Sequence, residues 1–477
     1  MAPLTLPPAF AQIPRHPLLH PHPSPIHPLP ALTKHLLPNP RPQTQITLHA
    51  KREDQASPLA CSGNKYRKLE YLIPDILSPT PQYGGLGPSP ERGSACAPAP
   101  PPSSSPTTTT PQKPTLITEG ALQSNHTVQV AALATHLNLS AVLCLHKTTG
   151  GGWRTAPDPR AFARTGNVQL AKLLGADVRL LDSANVAALP NPQAKKEDSN
   201  AAGGNNNAPD NDPIASIMHT LRTHEGKIPY WIPSGASLHP LGGLGYARCA
   251  FEIAAQEGDA PQHAQSWPKS RYDYIFVACG SGSTLGGLIA GFKLLEKMEG
   301  QQSRTTAAAS AAAAAAVATA RQQQQHRPPR KIIGVLTSPT SPKAYHEERV
   351  LRFARQAAEL IGLDDPQREI TAADVTLEER FVGAGYGVLD AETKQAMDVV
   401  ARTEAVVLDP VYTAKVARAM MHWVGSGELK EDWRRRRGRG KSETGPGKLA
   451  EEPGDAVNVL FIHTGGQSAL SAYADAE

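Results

Sequence analysis

A lysine at the start of a predicted helix is the first residue of this sequence whose position suggests chemistry. The apolar spacing of residues 65–77 predicts a helix, and small residues precede Lys65. The positive end of the helix dipole disfavours an ammonium group there, and the neighbouring cations Arg67 and Lys68 would lower the pKa of the amine. Lys65 is therefore a candidate for a lysine held as an imine. The alternative is an ordinary helix lysine exposed to solvent.

A second candidate is a loop of small and hydroxylated residues that follows the apolar segment 272–279. Backbone amides at the start of a helix, together with hydroxyl groups, favour a phosphate. The loop lacks the Gly-Lys-Ser/Thr of a P-loop, and its glycine spacing differs from the dinucleotide fingerprint. From local sequence alone, a helix-capping turn is an equal alternative. The residues concerned are Gly280, Ser281, Gly282, Ser283 and Thr284.

A third candidate is the start of another predicted helix, at 126–137. Ser124, Asn125 and His126 lie where backbone donors can bind a carboxylate, although a plain helix cap is the alternative. An imine-forming lysine, a phosphate loop and a carboxylate site together suggest pyridoxal phosphate held as a Schiff base.

Five stretches, in this order, resemble the family of 1-aminocyclopropane-1-carboxylate deaminases and D-cysteine desulfhydrases. They are residues 62–72, 123–126, 280–284, 409–412 and 463–466, which read SGNKYRKLEYL, QSNH, GSGST, DPVY and HTGG. The resemblance implies the tryptophan synthase β-like fold, fold type II: an α/β protein of two domains, each with a parallel sheet in a three-layer α/β/α arrangement. It also implies pyridoxal phosphate as cofactor, a small amino acid as substrate and a homodimer.

The domain boundaries expected from this resemblance divide the chain unequally. Residues 1–65 and 233–477 are expected to form a large cofactor-binding domain, and residues 66–232 a small domain. Low-complexity segments near 78–113, 188–212, 301–327 and 427–453 are expected to be surface insertions, and the last contains the basic run 434–437. Between them, alternating strand and helix patterns predict βαβ units, with strands over residues 141–145 and 177–181, a helix that begins at residue 343 and a turn over residues 120–125.

The resemblance also implies roles for individual residues. Lys65 would form the Schiff base, Ser124 would bind the substrate carboxylate, and Asn125 would face the phenolic oxygen of the cofactor and contact the substrate. Tyr412 would stack on the cofactor, and Tyr386 would be a second active-site tyrosine. Either tyrosine is a candidate for proton transfer, and a buried core tyrosine is the alternative for both.

Three positions bear on the activity within this family. Thr413 and Thr464, both expected beside the cofactor, stand where the deaminases look to have glutamate and leucine, and His126, expected to contact the substrate, stands where they tend to have glutamine. A carboxylate at the pyridine nitrogen would keep the ring protonated, as opening a cyclopropane requires, whereas a hydroxyl would suffice for loss of hydrosulfide.

We therefore expect a D-cysteine desulfhydrase that forms pyruvate, hydrogen sulfide and ammonia. The alternatives are a 1-aminocyclopropane-1-carboxylate deaminase, elimination or racemisation of D-serine or another small amino acid, and a non-catalytic relative that serves as a binding module.

Composition limits the class of protein. The net charge of +5 on 477 residues gives no reason to expect a nucleic-acid partner. The five cysteines are scattered and form no CxxC pair, which favours a reducing compartment. No apolar run is long enough to span a membrane. We expect the cytoplasm rather than the mitochondrion, and no metal: the histidines of the proline-rich first 35 residues lack metal-site spacing, and an extended arm is expected there.

Overall fold

The structure, a computed structural model, describes residues 4–38, 45–86, 96–97, 112–146, 159–181, 212–258, 271–309, 327–339, 341–438 and 456–474. The strands in these ranges are β1 (Ile26–Pro28), β2 (Ile46–Arg52), β3 (Gly85–Leu86), β4 (Cys96–Ala97), β5 (Pro114–Ala121), β6 (Ser140–His146), β7 (Asp177–Leu181), β8 (Ile228–Ile232), β9 (Tyr274–Cys279), β10 (Lys331–Leu336), β11 (Thr376–Glu378) and β12 (Val457–His463).

The helices in the same ranges surround these strands. They are α1 (Pro8–Ala11), α2 (Pro30–Leu36), α3 (Asn64–Ile76), α4 (Asn125–His136), α5 (Pro159–Phe162), α6 (Gly166–Leu173), α7 (Pro213–Thr223), α8 (Leu244–Gly258), α9 (Ser283–Ala309), α10 (Lys343–Leu360), α11 (Pro366–Glu369), α12 (Ala391–Glu404), α13 (Thr413–Gly425) and α14 (Glu428–Gly438). None of them is long and apolar enough to cross a lipid bilayer.

Two separate sheets organise the molecule. The larger has the strand order β1-β2-β12-β9-β10-β11 and is parallel except for β1, which runs antiparallel to β2 at one edge. The smaller has the order β7-β6-β5-β8 and is parallel throughout. Parallel sheets need helices on both faces, because their crossovers run over the faces and cover them.

Side chains alternate between the two faces of each strand, and their contacts show which helices cover each face of the sheets. In β9, Ile275 and Val277 pack with the cluster that contains α8, α9 and α10, whereas Tyr274 and Phe276 pack with α2, α13 and α14 on the other face. In the smaller sheet, α3, α4 and α6 lie on one face and α7 on the other. Both sheets are thus the middle layer of three, which confirms the predicted α/β fold class.

The N-terminal segment is more ordered than the predicted extended arm, because it includes α1, β1 and α2. Glu70 on α3 ties it to the body: its carboxylate accepts bonds from Arg15 Nη1 at 2.9 Å and from the backbone of Leu18 at 2.8 Å. The described residues contain no group of three or more potential metal-binding side chains.

The basic segment near the C-terminus corrects one prediction. Helix α14 occupies residues that we expected to begin an insertion, and it packs on the larger sheet through Leu429 and Trp433, both nearly fully buried. Asp432 on the same helix accepts bonds from Tyr274 Oη at 2.8 Å and Lys331 Nζ at 2.9 Å. The prediction of an insertion rested on the basic run 434–437 and did not take account of the apolar residues that precede it.

Two further boundaries differ from the predictions. Strand β5 continues through Gly120 to Ala121, where we expected the turn to begin. Helix α9 continues to Ala309, inside the predicted third insertion. Of the first predicted insertion, near 78–113, the structure describes residues 78–86, 96–97 and 112–113, and these include the short antiparallel pair β3 and β4. The second, near 188–212, lies outside the described residues apart from Asp212, which caps α7.

Candidate active site

One cavity of about 490 Å³ lies where the carboxyl ends of strands from both sheets meet. In parallel α/β sheets this edge is the usual place for a ligand, because loops that carry polar groups leave the strands there. The wall combines residues of α3, β5, α4 and β6 with the loops that follow β9, β10 and β12.

Lys65 reaches the cavity from the first turn of α3, and its backbone is fixed from three directions. Its own N–H donates to Gln129 Oε1 at 3.1 Å, and the preceding N–H, of Asn64, donates to the carbonyl of Thr464 at 3.1 Å. Gly63 forms a bridge with Gly465, and a side chain at Gly63 would lie 2.7 Å from the Thr464 carbonyl oxygen. A glycine is therefore required directly before the lysine turn, since only it permits this close approach.

The amine of Lys65 loses its proton more readily than that of an ordinary lysine. Burial lowers its pKa to about 8, although a hydrogen bond with Lys68 raises it. At neutral pH about one molecule in ten therefore carries a neutral amine, against about one in a few thousand for an ordinary lysine. A neutral amine is the nucleophilic form that makes an imine.

The cause of this shift differs from the one expected from sequence. Arg67 turns away from Lys65 into a buried ion-pair network, where it bonds Glu53 and lies 2.7 Å from Glu252. Its charge is compensated there, so burial of Lys65, and not a nearby arginine, lowers the pKa of the amine.

The glycine-rich loop forms another part of the cavity wall. Gly280, Ser281, Gly282 and Thr284 line the cavity, and α9 begins with Ser283, so the N-terminus of a long helix is directed at this part of the wall. Gly282 has a φ of +93°, a left-handed conformation that favours glycine. Unpaired amides at a helix N-terminus form a site for an anion.

Lys68 supplies a cation to this loop. Its Nζ lies 2.8 Å from Ser283 Oγ and 3.2 Å from the carbonyl of Gly235, and its side chain is fully buried. Burial and the charge of Lys65 hold the pKa of Lys68 well below its ordinary value. A phosphate bound at the loop would compensate this desolvated amine.

Ser124 and Asn125 stand at the start of α4. Ser124 Oγ accepts the N–H of His126 at 3.2 Å and so caps the helix. The side-chain oxygen of Asn125 accepts from Asn167 at 2.8 Å, which fixes the orientation of its amide. Both residues line the cavity at the N-terminus of α4. The backbone donors and the dipole of that helix favour a carboxylate there.

His126 is a neutral, fully buried imidazole. Thr118 Oγ1 donates to the carbonyl of Ile232 at 2.7 Å, so it accepts from His126 Nε2 at 2.9 Å. Burial, and then the charges of Lys65 and Lys68, hold the pKa of His126 well below 6.5. The ring therefore presents Nδ1 as an acceptor, and that buried atom has no partner among the described residues.

The two predicted tyrosines contact each other. The hydroxyls of Tyr386 and Tyr412 are hydrogen-bonded, and their rings lie 5.9 Å apart at 71°. Burial raises the pKa of Tyr386 to about 12 and that of Tyr412 well above its ordinary value. Both hydroxyl groups are therefore protonated at neutral pH. Each can donate a hydrogen bond, but neither is available as a base.

Thr413 lies behind the cavity wall. Its hydroxyl donates to Asp409 Oδ1 at 2.7 Å and accepts the N–H of Asp409 at 2.7 Å. Asp409 also accepts the backbone N–H groups of Val411, Tyr412 and Thr413. Thr464, in contrast, lines the cavity.

These features fit pyridoxal phosphate. They are an amine with a lowered pKa, an anion site with an uncompensated buried lysine, a carboxylate site and an aromatic wall. The chain also matches the model of the family described as "Pyridoxal-phosphate dependent enzyme" over residues 18–435. The chain belongs to this family. It is therefore an enzyme that uses pyridoxal phosphate.

Proteins similar to this pyridoxal-phosphate dependent enzyme carry more specific names. It is 33% identical over 463 residues, 97% of each chain, to a 1-aminocyclopropane-1-carboxylate deaminase of Burkholderia multivorans. A protein of the same name from Ralstonia nicotianae is 32% identical over 96% of each chain. A crystal structure described as an ACC deaminase homologue shares the fold, with a TM-score of 0.57, 24% identity and coverage of 97% of this chain and 98% of that one.

The structure of this enzyme brings most of the predicted site residues together. The cavity contains Lys65, Ser124, Asn125, His126, Gly280, Ser281, Gly282, Thr284, Tyr386, Tyr412 and Thr464. The cavity wall does not include Ser283, whose hydroxyl lies against Lys68, or Thr413, whose hydroxyl lies against Asp409. Their roles in binding the cofactor remain predictions.

Sequence reasoning missed several residues of the wall. Glu119 lies two residues before the end of β5, and His146 is the last residue of β6. Tyr345, His346 and Arg349 lie on the first turns of α10. A polar residue at the carboxyl end of a parallel strand is a detectable signal, because such ends converge on the ligand. His146 directly follows a strand that the sequence did predict.

Proposed function

We propose that this enzyme removes hydrosulfide from D-cysteine, forming pyruvate, hydrogen sulfide and ammonia. The observation that supports this reaction is the chemistry of the wall around Tyr412. Tyr386, Tyr412 and Thr464 present hydroxyl groups there, and the carboxylate of Asp409 is occupied by three backbone N–H groups and the hydroxyl of Thr413.

When bound, pyridoxal phosphate supplies an electron sink for the negative charge left on the α-carbon of an amino acid. A wall of hydroxyl groups leaves that sink weaker than a carboxylate would, because it does not keep the ring protonated. A weak sink is sufficient when the β-substituent is a good leaving group, and hydrosulfide is one.

The amino acid would be held by its carboxylate at Ser124 and Asn125, where the N-terminus of α4 favours negative charge. The α-proton would pass to the amine of Lys65, because burial brings the pKa of that amine to about 8 whereas Tyr386 and Tyr412 have raised pKa values and hold their protons. The preference for the D enantiomer rests on the resemblance to D-cysteine desulfhydrases.

A second candidate is supported by the relatives. The proteins about 33% identical over nearly the whole chain are named 1-aminocyclopropane-1-carboxylate deaminases. Opening a cyclopropane has no good leaving group to assist it, so that activity would need a stronger electron sink than hydroxyl groups provide.

An assay of three products separates the two activities. Hydrogen sulfide, pyruvate and 2-oxobutyrate are measured from D-cysteine and from 1-aminocyclopropane-1-carboxylate with the cofactor-loaded enzyme. We expect hydrogen sulfide and pyruvate from D-cysteine at a kcat/KM about 100-fold or more above that for 2-oxobutyrate formation, in line with the contribution of a lost electrostatic group. Formation of 2-oxobutyrate with comparable efficiency would establish the deaminase instead.

A further inference from the structure

A buried lysine outside the cavity holds the loop that carries one of the two cavity tyrosines. Lys415 stands on the first turn of α13, three residues after Tyr412, and is fully buried. It is not among the residues that line the cavity. Any effect of Lys415 on the reaction must therefore act through other residues.

Three backbone carbonyls accept hydrogen bonds from the amine of Lys415. They belong to Val382, at 2.6 Å from Nζ, to Thr337, at 3.2 Å, and to Gly385, at 3.3 Å. An ammonium group has three N–H donors, so these carbonyls use all of them. Thr337 directly follows β10, and Gly385 directly precedes Tyr386. The amine thus joins α13 to the end of β10 and to the segment that carries Tyr386.

That segment, residues 382–387, is the Tyr386 loop, and it contains no helix or strand. The loop turns at Gly383 and Gly387, whose φ values of +73° and +72° are left-handed. Besides Lys415, Tyr473 holds the loop, by donating from Oη to the carbonyl of Gly387 at 2.7 Å. A loop without regular structure satisfies its carbonyls through such side chains, so these contacts determine where it lies.

The amine of Lys415 is a cation at neutral pH. Burial lowers its pKa to about 8, while the charges of Asp390 and Asp409 raise it and the charge of Arg418 lowers it. Burying an ammonium group is costly, and a methionine would fill the same space without that cost. The bonds from the cation to the loop carbonyls therefore point to a positional function.

The same contacts fix the relation between the two tyrosines. Tyr412 is the residue directly before α13, and Tyr386 directly follows a carbonyl that Lys415 binds. The hydroxyls of the two tyrosines are hydrogen-bonded, and both residues line the cavity. Without the ammonium group, the loop would lose two bonds to α13, from the carbonyls of Val382 and Gly385. Tyr386 would then be free to leave its place in the wall.

We propose that Lys415 is a positioning residue, whose ammonium group acts as a built-in cation that holds Tyr386 against Tyr412 at the cavity wall. This inference goes beyond the proposed function, because it concerns the geometry of the wall and holds for whichever amino acid the enzyme uses. Carbonyl oxygens are also the groups that replace the hydration shell of a potassium ion. When the amine is removed, potassium should therefore be able to take its place.

Fluorine NMR of cofactor-loaded enzyme labelled with 3-fluorotyrosine tests the proposal without a substrate. The Tyr386 signal is assigned by its loss in Tyr386→Phe. In Lys415→Ala, with tetramethylammonium chloride as the salt, we expect this signal to move from its wild-type position. Potassium chloride at the same ionic strength should return it, because potassium fits among three carbonyls and the quaternary ion does not. The wild-type spectrum should be the same in both salts.

Two further variants are the controls. Lys415→Met fills the space of the lysine, so the Tyr386 signal should move and potassium should not restore it. Lys394→Ala removes a half-exposed lysine on α12 that lies 3.8 Å from Asp398, and it should leave the Tyr386 signal unchanged in both salts.

Activity gives a second readout. The substrate is D-cysteine, or 1-aminocyclopropane-1-carboxylate if the enzyme accepts that acid instead. We expect kcat of Lys415→Ala to fall about tenfold or more in tetramethylammonium chloride and to recover in potassium chloride, because misplacement of a wall residue impairs the chemical step. KM should change by less than about threefold, since Ser124 and Asn125 are left in place.

An unmoved Tyr386 signal in Lys415→Ala, or a moved signal that potassium fails to restore, would overturn the proposal. If Lys415→Ala does not fold in either salt, Lys415→Met decides, and a Tyr386 signal at its wild-type position in that variant would overturn it. The spectra need no substrate, so these results are independent of the proposed function. Formation of 2-oxobutyrate in place of hydrogen sulfide would overturn the desulfhydrase and leave the role of Lys415 intact.

Discussion

Lys68 Nζ lies 2.8 Å from Ser283 Oγ, the first residue of α9, and this contact joins the helix that carries the reactive lysine to the helix that would hold the phosphate. Both amines of the lysine pair are buried, and the pKa of each is lowered. An anion at the loop therefore has a specific partner that is already positioned.

The role of Lys68 is tested by Lys68→Met, which keeps the length of the side chain and removes its charge. We expect the Kd for pyridoxal phosphate to rise about tenfold or more, because a hydrogen bond to a charged group is worth roughly 1.5–3 kcal/mol. The measurement is a titration of the apoenzyme by absorbance. Pyridoxal, which has no phosphate, should bind both proteins equally, and a similar loss for pyridoxal would contradict the assignment.

Replacement of Lys65 by alanine should abolish the covalent link to the cofactor. We expect the visible absorbance band of the wild-type protein to be missing, and borohydride reduction to leave residue 65 unlabelled in a peptide map. Lys172→Ala, at an exposed position on α6, is the control and should retain the band. Labelling at another lysine in the Lys65→Ala protein would show that the assignment is wrong.

The lowered pKa of Lys65 predicts how fast the apoenzyme reacts at different pH values. Only the neutral amine attacks an aldehyde, so the trapping rate should rise about tenfold per pH unit and then level near pH 8. An unperturbed lysine would continue to gain up to about pH 10.4. Reductive trapping with pyridoxal between pH 6 and 10, followed by mass spectrometry of the residue 65 peptide, measures this. A continued rise beyond pH 9 would exclude the shift.

The same group predicts the pH dependence of apoenzyme stability. The folded state loses its proton near pH 8, whereas the unfolded state keeps it to about pH 10.4, so the unfolded state binds more protons between these values. The contribution of Lys65 to the free energy of unfolding therefore rises through this window. Urea unfolding should show the stability of wild type rising relative to that of Lys65→Met from pH 7.5 to 10, and a constant relative stability would refute the prediction.

Thr413 is expected to matter for the stability of α13. Thr413→Val removes the hydroxyl that donates to Asp409 Oδ1 and accepts its N–H, and it leaves a buried carboxylate with one partner fewer. We expect a loss of roughly 1–3 kcal/mol in the free energy of unfolding, measured by denaturant titration. Thr403→Val, whose hydroxyl only bonds a carbonyl within α12, should cost less.

The fold and most of the site could be predicted because their signals are local. Glycine before Lys65, hydroxylated residues after an apolar strand and a serine at a helix start each follow from the needs of a single turn. Strand β7 matches its predicted bounds, and the start of α10 was predicted to the residue, because apolar periodicity defines such elements.

The remaining features depend on contacts between distant segments. The compensation of Arg67 by Glu252 and the pairing of Glu119 with His146 become visible only when strands and helices are assembled. The orientation of Thr413 was also hidden, because the sequence does not show whether a hydroxyl points to a ligand or to its own turn. The packing of α14 was missed because its arginines outnumber the two apolar residues that anchor it.

The position of β12 has a consequence for biosynthesis. This last strand lies between β2 and β9, and the loop after it supplies the carbonyl of Thr464 and the bridge at Gly465 that hold the lysine turn. Residues up to 463 must therefore leave the ribosome before the larger sheet can close. A nascent polypeptide interrupted before residue 457 would keep an unfilled gap at the centre of that sheet, a state that chaperones would have to shield.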